Sequence, residues 1–147
     1  MTAPAVQIRA VAVPARDDVA GGNRPWIGRV GQGRRMRLVQ GPIDLILDLK
    51  GSAAAVAEAE ARASEAFDGL LETLVAELPR LRSPAGPLPE GRVARAMAAA
   101  VSPYRPRFIT PMAAVAGAVA DHVLAAVMAA GALDSAAINN GGDIALC

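Results

Sequence analysis

The stretch that most constrains the fold is residues 108–144, where a helical pattern passes into a hairpin pattern. Thr110 fits the N-cap position, and Pro111 occupies the favoured first position of a helix. Small and aliphatic residues follow as far as Gly131, which fits a helix C-cap. A strand, a turn and a second strand then follow over residues 135–146. The stretch predicts a helix next to antiparallel strands.

The turn at residues 139–142 has two interpretations. Gly141 and Gly142 carry no Cβ, so their N–H groups can come close to a phosphate or another anion, and Asp143 follows them. Asn140-Gly141 is also a strong hairpin signal, and a hairpin alone accounts for the run. Both interpretations, ligand contact and a purely structural turn, stay open.

Small side chains on neighbouring turns of the helix allow a second backbone, or a flat ligand ring, to approach closely. They are Ala113, Ala116, Gly117 and Ala120. Asp121 is followed by His122, the only histidine. Adjacent helical residues point about 100° apart, so these two side chains do not form a catalytic dyad.

Residues 111–130 have about the length of a membrane span. They contain more Ala and Val than Leu or Ile, with Asp121 and His122 at the centre. An acid at mid-span costs roughly 2.5–3.5 kcal/mol on insertion scales. We therefore expect a buried helix of a soluble, cytoplasmic protein and no membrane partner. The N-terminus has no continuous apolar segment typical of a signal peptide.

Composition sets the outer bounds. The 147 residues suffice for one domain, and with 53% apolar but only 3% aromatic residues the core should be aliphatic. A net charge of +1 argues against a nucleic-acid partner. One histidine and one cysteine, Cys147, exclude a His/Cys metal site and an internal disulfide.

The first 33 residues are rich in Pro and Gly and predict an irregular N-terminal arm, with one short strand at residues 7–13. Five arginines and no acid lie between residues 24 and 37. They fit either an anion-binding patch, since the guanidinium matches phosphate, or a solvated arm. We place the main domain at residues 34–147.

Two strands, residues 35–40 and 43–49, flank the turn Gly41-Pro42. Alternation places Asp44 and Asp48 on the same face, which we expect to be solvent-exposed. The two acids lie two strand repeats apart, roughly 13 Å, too far for a carboxylate pair acting on one bond.

Ser52 fits the N-cap of a long helix that continues to about Leu78, and Pro79 should end or kink it. Its predicted buried stripe is Val56, Ala59, Ala63, Phe67, Leu70, Leu74 and Leu78, widened by Leu71 and Val75. Its predicted solvent-exposed residues are Glu58, Glu60, Arg62, Glu65, Asp68 and Glu72.

A second, short helix is predicted over residues 91–101, with Val93, Met97 and Ala100 inward. Arg105 and Arg107 follow it and come just before the helix start at Pro111, which makes them candidates for binding phosphate.

Four runs together resemble a family of ApbE-like proteins over about residues 34–146. They are GPIDLI (41–46), ELPRLR (77–82), FITPMAAVAGAVAD (108–121) and NNGGDIAL (139–146). The family is related to flavin transferases, which use magnesium to move FMN from FAD onto a protein threonine. The resemblance implies an α+β, T-fold-related antiparallel sheet packed against long helices. It also implies a flavin site lined by a K-G-x-x-x-D helix motif and a G-G-D turn.

Three differences from the transferases stand out. Their lysine falls on Ala116, which removes a cation from the site. Their second magnesium motif, with Asp and Thr, has no counterpart before Cys147, so magnesium is doubtful. The chain therefore resembles the N-terminal portion of a longer domain, and a strand over residues 144–146 would leave an unpaired edge that needs a partner.

Two functional hypotheses follow. One is binding of FAD, FMN or another small phosphate-containing molecule; flavin-transferase activity is uncertain and no catalytic residue is assigned. Its candidate cofactor-binding residues are Thr110, Gly117, Asp121, Asn140, Gly141, Gly142 and Asp143. The other is a non-catalytic interaction module that pairs through the strand edge, as a homo-oligomer or with a complementing C-terminal half. We predict no metal ligands.

Overall fold

The computed structural model describes residues 25–147. Five strands form one open, antiparallel sheet in the order β1-β2-β3-β4-β5, which is also their order along the chain. The strands are β1 Trp26–Val30, β2 Arg35–Gln40, β3 Ile43–Gly51, β4 Leu133–Asn140 and β5 Asp143–Leu146. The predicted α+β class with antiparallel strands is confirmed.

All helices of residues 25–147 lie in the connection between β3 and β4. They are α1 Ala53–Phe67, α2 Leu70–Ala76, the single turn α3 Leu78–Leu81, α4 Arg92–Val101 and α5 Val115–Ala129. Short 3-10 segments, Ser102–Tyr104 and Pro111–Ala114, follow α4 and precede α5. Helix α5 packs on β4 and β5 and lies between α1 and α4, so it is the central element of the helical layer.

The core lies between this helical layer and one face of the sheet, as strand alternation requires. Leu38, Leu45 and Leu47 of the sheet are buried, and so is Ile138 beside them. On the helical side Phe67 belongs to the same cluster, which continues along α5 through Val119, Val123 and Val127. Fully burying a side chain of this kind stabilises the fold by about 1.5–3 kcal/mol. This burial fixes which sheet face points outward.

The single long helix predicted from Ser52 to Leu78 is wrong. Ser52 does cap it, with its hydroxyl accepting the N–H of Ala55 at 3.2 Å. The helix ends at Phe67, because Gly69 takes a φ of +69°, a left-handed conformation that stops the α-helical run. The helical path then resumes as α2 and, just before Pro79, as α3.

Burial corrects further predictions about these helices. Val75 was placed in the buried stripe but is 55% exposed, because the break at Gly69 turns α2. Glu60 was predicted to be solvent-exposed but is buried, and Ala100 was placed inward but is exposed. Val93 and Met97 are buried as predicted.

The region expected to be irregular contains β1, so that expectation is wrong for residues 26–30. The sheet face away from the helices is called the open face. On it Trp26 lies over Gly28, where a Cβ on the glycine would overlap the Trp26 ring. The strand predicted at residues 7–13 falls outside the described part of the chain. The turn at Gly41-Pro42 and both flanking strands are confirmed.

By length and composition, Pro111–Ala129 could cross a membrane, and 22% of its most apolar window is buried. One such segment among the described residues is weak evidence, because core helices of soluble proteins pass the same test. The expectation of no membrane partner stays a prediction.

Candidate functional site

The Gly-Gly-Asp run forms a two-residue hairpin turn between β4 and β5. Asn140 pairs with Asp143, and Gly141 and Gly142 between them take φ values of +61° and +109°. Positive φ at both positions is what a type I′ turn needs and what glycine adopts freely. The N–H of Gly142 donates to Oδ1 of Asn139 at 3.0 Å, so this amide already has a partner within the turn.

The same turn meets the beginning of α5. Nδ2 of Asn140 donates to the carbonyl of Ala116 at 3.1 Å. A Cβ built on Gly117 would lie 3.9 Å from Oδ2 of Asp143. The structure thus brings together three of the candidate residues, Gly117, Asn140 and Asp143. We call this place the hairpin corner.

Two other candidate residues do not make these contacts. Thr110 occupies the N-cap position before the 3-10 segment, but its side chain makes no capping hydrogen bond. Asp121, one turn further along α5 than Gly117, lines a cleft between α4 and α5 with Arg92 and His122. Nε2 of His122 lies 3.1 Å from the carbonyl of Ala66 in α1, so this ring joins two helices.

Two clefts in the described part of the chain do not border the hairpin corner. The one at Asp121 measures about 170 Å³. The other, about 420 Å³, is an open depression between β1 and α1 that is lined by Ile27 and Asp68, among others. Sites for drug-sized ligands usually measure about 300–1,000 Å³ and enclose most of the ligand.

The chemistry of the hairpin corner is that of a hydrogen-bond acceptor. The Asp143 carboxylate can accept N–H or O–H donors, and its charge disfavours a phosphate directly beside it. Within residues 25–147, no group of three His, Cys, Asp or Glu side chains is placed to hold a metal ion.

Three arginines of the predicted anion-binding patch form ion pairs inside the chain. Arg29 forms a two-pronged pair with the buried Glu60 of α1, at 2.5 and 2.7 Å. Arg37 pairs in the same way with Asp44 at 2.7 and 2.8 Å, and Nε of Arg35 donates to Asp48 at 3.0 Å. These three guanidinium groups are therefore bound to carboxylates of the same chain.

The paired acids also correct an expectation. Asp44 and Asp48 share the open face of the sheet as predicted. Each forms an ion pair with an arginine, Asp44 with Arg37 and Asp48 with Arg35, so neither is simply a solvated acid. The hydrogen bonds from Arg37 to Asp44 raise the pKa of Arg37 above its ordinary value; burial lowers it, and the charge of Asp44 adds to the rise. The Arg37 guanidinium also lies 5.9 Å from the centre of the Trp26 ring.

The second notable surface is the free side of β5. Among the described residues β5 pairs only with β4, so its other side is a sheet edge. Ile144 and Leu146 are 56% and 70% exposed there. Both point to the open face, because Ile144 lies opposite Asn139 and Leu146 opposite Ala137. The sequence predicted the edge. The direction of these two side chains follows from the alternation along β4, where Ala136 and Ile138 are buried on the helical side and the residues between them face the open side.

The fold and these surfaces define an α+β protein with an open antiparallel sheet, helices on one face and an exposed apolar edge. Residues 27–147 match the family model described as AbpE bacteria, and the chain belongs to that family. No curated protein and no solved structure matches the chain.

This match corrects the resemblance given above. The AbpE bacteria family has a different name from the ApbE flavin transferases, and nothing links the two. Small residues suit any helix that packs closely against another element, and Gly-Gly is one of the preferred pairs in type I′ hairpin turns. They are therefore weak markers of a flavin-transferase relationship.

Proposed function

We propose that this protein is a non-catalytic interaction module that assembles with a second copy of itself through the free edge of β5. The observation that carries the proposal is the pair Ile144 and Leu146, 56% and 70% exposed on a strand that is paired on one side only within residues 25–147. A sheet edge with exposed apolar side chains is a template for a further strand.

The opposite edge, β1, carries features that discourage pairing. Pro25 precedes it, and Arg29 points inward to Glu60, away from an approaching strand. Proline and inward-pointing charges are devices by which sheet edges avoid association. Strand β5 has one charged residue, Asp143, at its first position. The two edges therefore differ in their capacity to add a strand.

The open face near β5 supports the same reading. Ile46 and Ala137 are half-buried and lie on the rows of the sheet that lead to Ile144 and Leu146. Charged residues of this face form ion pairs, Arg37 with Asp44 and Arg35 with Asp48, and Asp48 lies on the same row as Ala137 and Leu146. Ile144 and Leu146 on β5 therefore have apolar neighbours in Ile46 and Ala137, and burying these side chains against a second copy is favourable.

Sedimentation velocity over a concentration series tests the proposal. The expected result is a shift from the mass of one chain to that of two as concentration rises. The double variant Ile144→Lys with Leu146→Lys should remain at the mass of one chain, because charged side chains block edge pairing. Val75→Lys is the matched control, since Val75 is equally exposed but lies on α2. A wild-type chain that stays monomeric throughout would contradict the proposal.

A second candidate function is the binding of a small phosphate-containing molecule such as FMN or FAD at the hairpin corner. It is supported by the meeting of Gly117, Asn140 and Asp143 and by the space that Gly117 leaves. Because Asp143 is an acceptor, we propose that a hydroxyl or N–H group of the ligand lies beside it, with the phosphate further away.

Gly117→Ala tests this second candidate. The new methyl would meet Asp143 Oδ2 at 3.9 Å, an ordinary contact, and alanine favours a helix by about 1 kcal/mol over glycine, so the fold should survive. Titration with FMN and FAD, with and without magnesium, should show at least about tenfold weaker binding than wild type. Asp121→Asn is the control on the same helix. Absence of wild-type binding at millimolar flavin would reject the candidate.

A further inference from the structure

The hydrogen bonds between β4 and β5 establish which backbone groups of β5 face the free edge. Ala136 and Cys147 exchange two bonds: the N–H of Ala136 donates to Cys147 at 3.1 Å, and that of Cys147 donates to Ala136 at 3.0 Å. Bonded and non-bonded pairs alternate along an antiparallel ladder. Asp143, Ala145 and Cys147 therefore direct N–H and C=O to β4, whereas Ile144 and Leu146 direct theirs outward.

We infer that two copies pair antiparallel through β5 in the register centred on Ala145, an inference that rests on the proposed assembly. In this register Ile144 of each copy lies opposite Leu146 of the other. Both residues have outward N–H and C=O groups, so each of the two pairs exchanges two hydrogen bonds. Every outward backbone group of Ile144 and Leu146 is then satisfied.

Neighbouring registers use the edge less well. Counting only residues 143–147 of each copy, a register centred on Ile144, or one centred on Leu146, forms a single bonded pair of this kind. A shift by one residue brings Ile144 and Leu146 opposite residues whose N–H and C=O groups point to β4. Within residues 143–147, the Ala145-centred register is the one in which both Ile144 and Leu146 form bonded pairs.

The side chains agree with this register. In an antiparallel pair, residues directly opposite each other share a face, so Ile144 contacts Leu146 of the second copy on the open face. The exposed apolar pair is thereby covered on both copies. Ala145, buried on the helical side, meets its own counterpart at the two-fold axis, and a small side chain fits there. The two Asp143 residues lie at opposite ends of the seam, the contact between the two β5 strands, so like charges are kept apart.

Cysteine cross-linking tests the register. Cys147→Ser removes the only native thiol, and Ile144→Cys or Leu146→Cys is then introduced separately. Opposite residues in a bonded pair have Cα atoms about 5.5 Å apart, within the range that a disulfide spans. An equal mixture of the two variants should form a disulfide-linked heterodimer under mild oxidation. Each variant alone should give at least about tenfold less of a linked dimer, because like positions lie diagonally across the seam.

The outcomes separate the register from the assembly. Linkage mainly within the Ile144→Cys sample, or mainly within the Leu146→Cys sample, would overturn the Ala145-centred register in favour of the corresponding neighbour. A dimer in sedimentation that yields no linked product in any sample would overturn β5 pairing in all these registers. If the reduced Cys147→Ser chain itself stays monomeric at every concentration, the proposed assembly fails, and the register fails with it.

Discussion

At the residue scale, several charged side chains of the described residues form ion pairs and hydrogen bonds within the fold. Glu60 is 7% exposed and would carry an uncompensated charge without Arg29, which approaches it from β1. Breaking such a pair by removing one partner destabilises a protein because the remaining charge is poorly solvated. Helical periodicity placed Glu60 on the surface because its partner lies in a strand 31 residues earlier, which no local pattern reveals.

Glu77 is a second acid with a structural role. Its carboxylate accepts the N–H of Glu90 at 2.7 Å and that of Gly91, also at 2.7 Å. Gly91 is the N-cap of α4 and offers no capping side chain of its own. Glu77 therefore satisfies backbone donors at a helix N-terminus, where negative charge is also favoured. It fixes the end of the loop that leads into α4.

We predict that Glu77→Gln lowers the free energy of unfolding by about 1–2 kcal/mol, because an amide NH2 group replaces one of the two acceptor oxygens. Urea unfolding of variant and wild type measures the difference. Glu58→Gln is the control, since Glu58 forms an exposed pair with Arg62 and its loss should cost less than about 0.5 kcal/mol. Equal effects of the two substitutions would contradict the role assigned to Glu77.

At the element scale, segments with strong local signals were predicted well. The strands β2 and β3, the hairpin of β4 and β5 and the helix before Gly131 each carry alternation, a glycine turn or a cap that acts within a few residues. The helix break at Gly69 was missed because Phe67, Leu70 and Leu74 keep helical spacing across it. Periodicity records the spacing of apolar residues along the chain, and it does not record the sign of φ at a glycine.

The missed strand β1 has a different cause. Its alternation is obscured by Gly28, whose lack of a side chain is compensated by the ring of Trp26, and by Arg29, whose partner is distant. The candidate site was likewise predicted in part. The hairpin corner combines Gly117 with Asn140 and Asp143 because the turn reaches only the first turn of α5. Asp121 lies one helical turn, about 6 Å, further along.

At the scale of the whole molecule, the two edges of the sheet are unequal. Strand β1 begins after a proline and holds its arginine inward, whereas β5 presents Ile144 and Leu146. With one edge open to pairing, a two-fold contact of β5 with itself closes the assembly at two copies. A head-to-tail contact between β5 and β1 would extend without limit into fibres. The asymmetry of the edges thus favours a dimer of limited size.

Amide hydrogen exchange provides the last prediction, because the directions of the β5 amides do not depend on any partner. In dilute solution the N–H groups of Ala145 and Cys147 should be protected by β4, and those of Ile144 and Leu146 should exchange fast. At concentrations where sedimentation shows dimers, the Ile144 and Leu146 amides should slow at least about tenfold, which NMR exchange rates can measure. Slow exchange of these two amides already in the dilute monomer would show that another part of the chain covers the edge. It would remove the basis for pairing between copies.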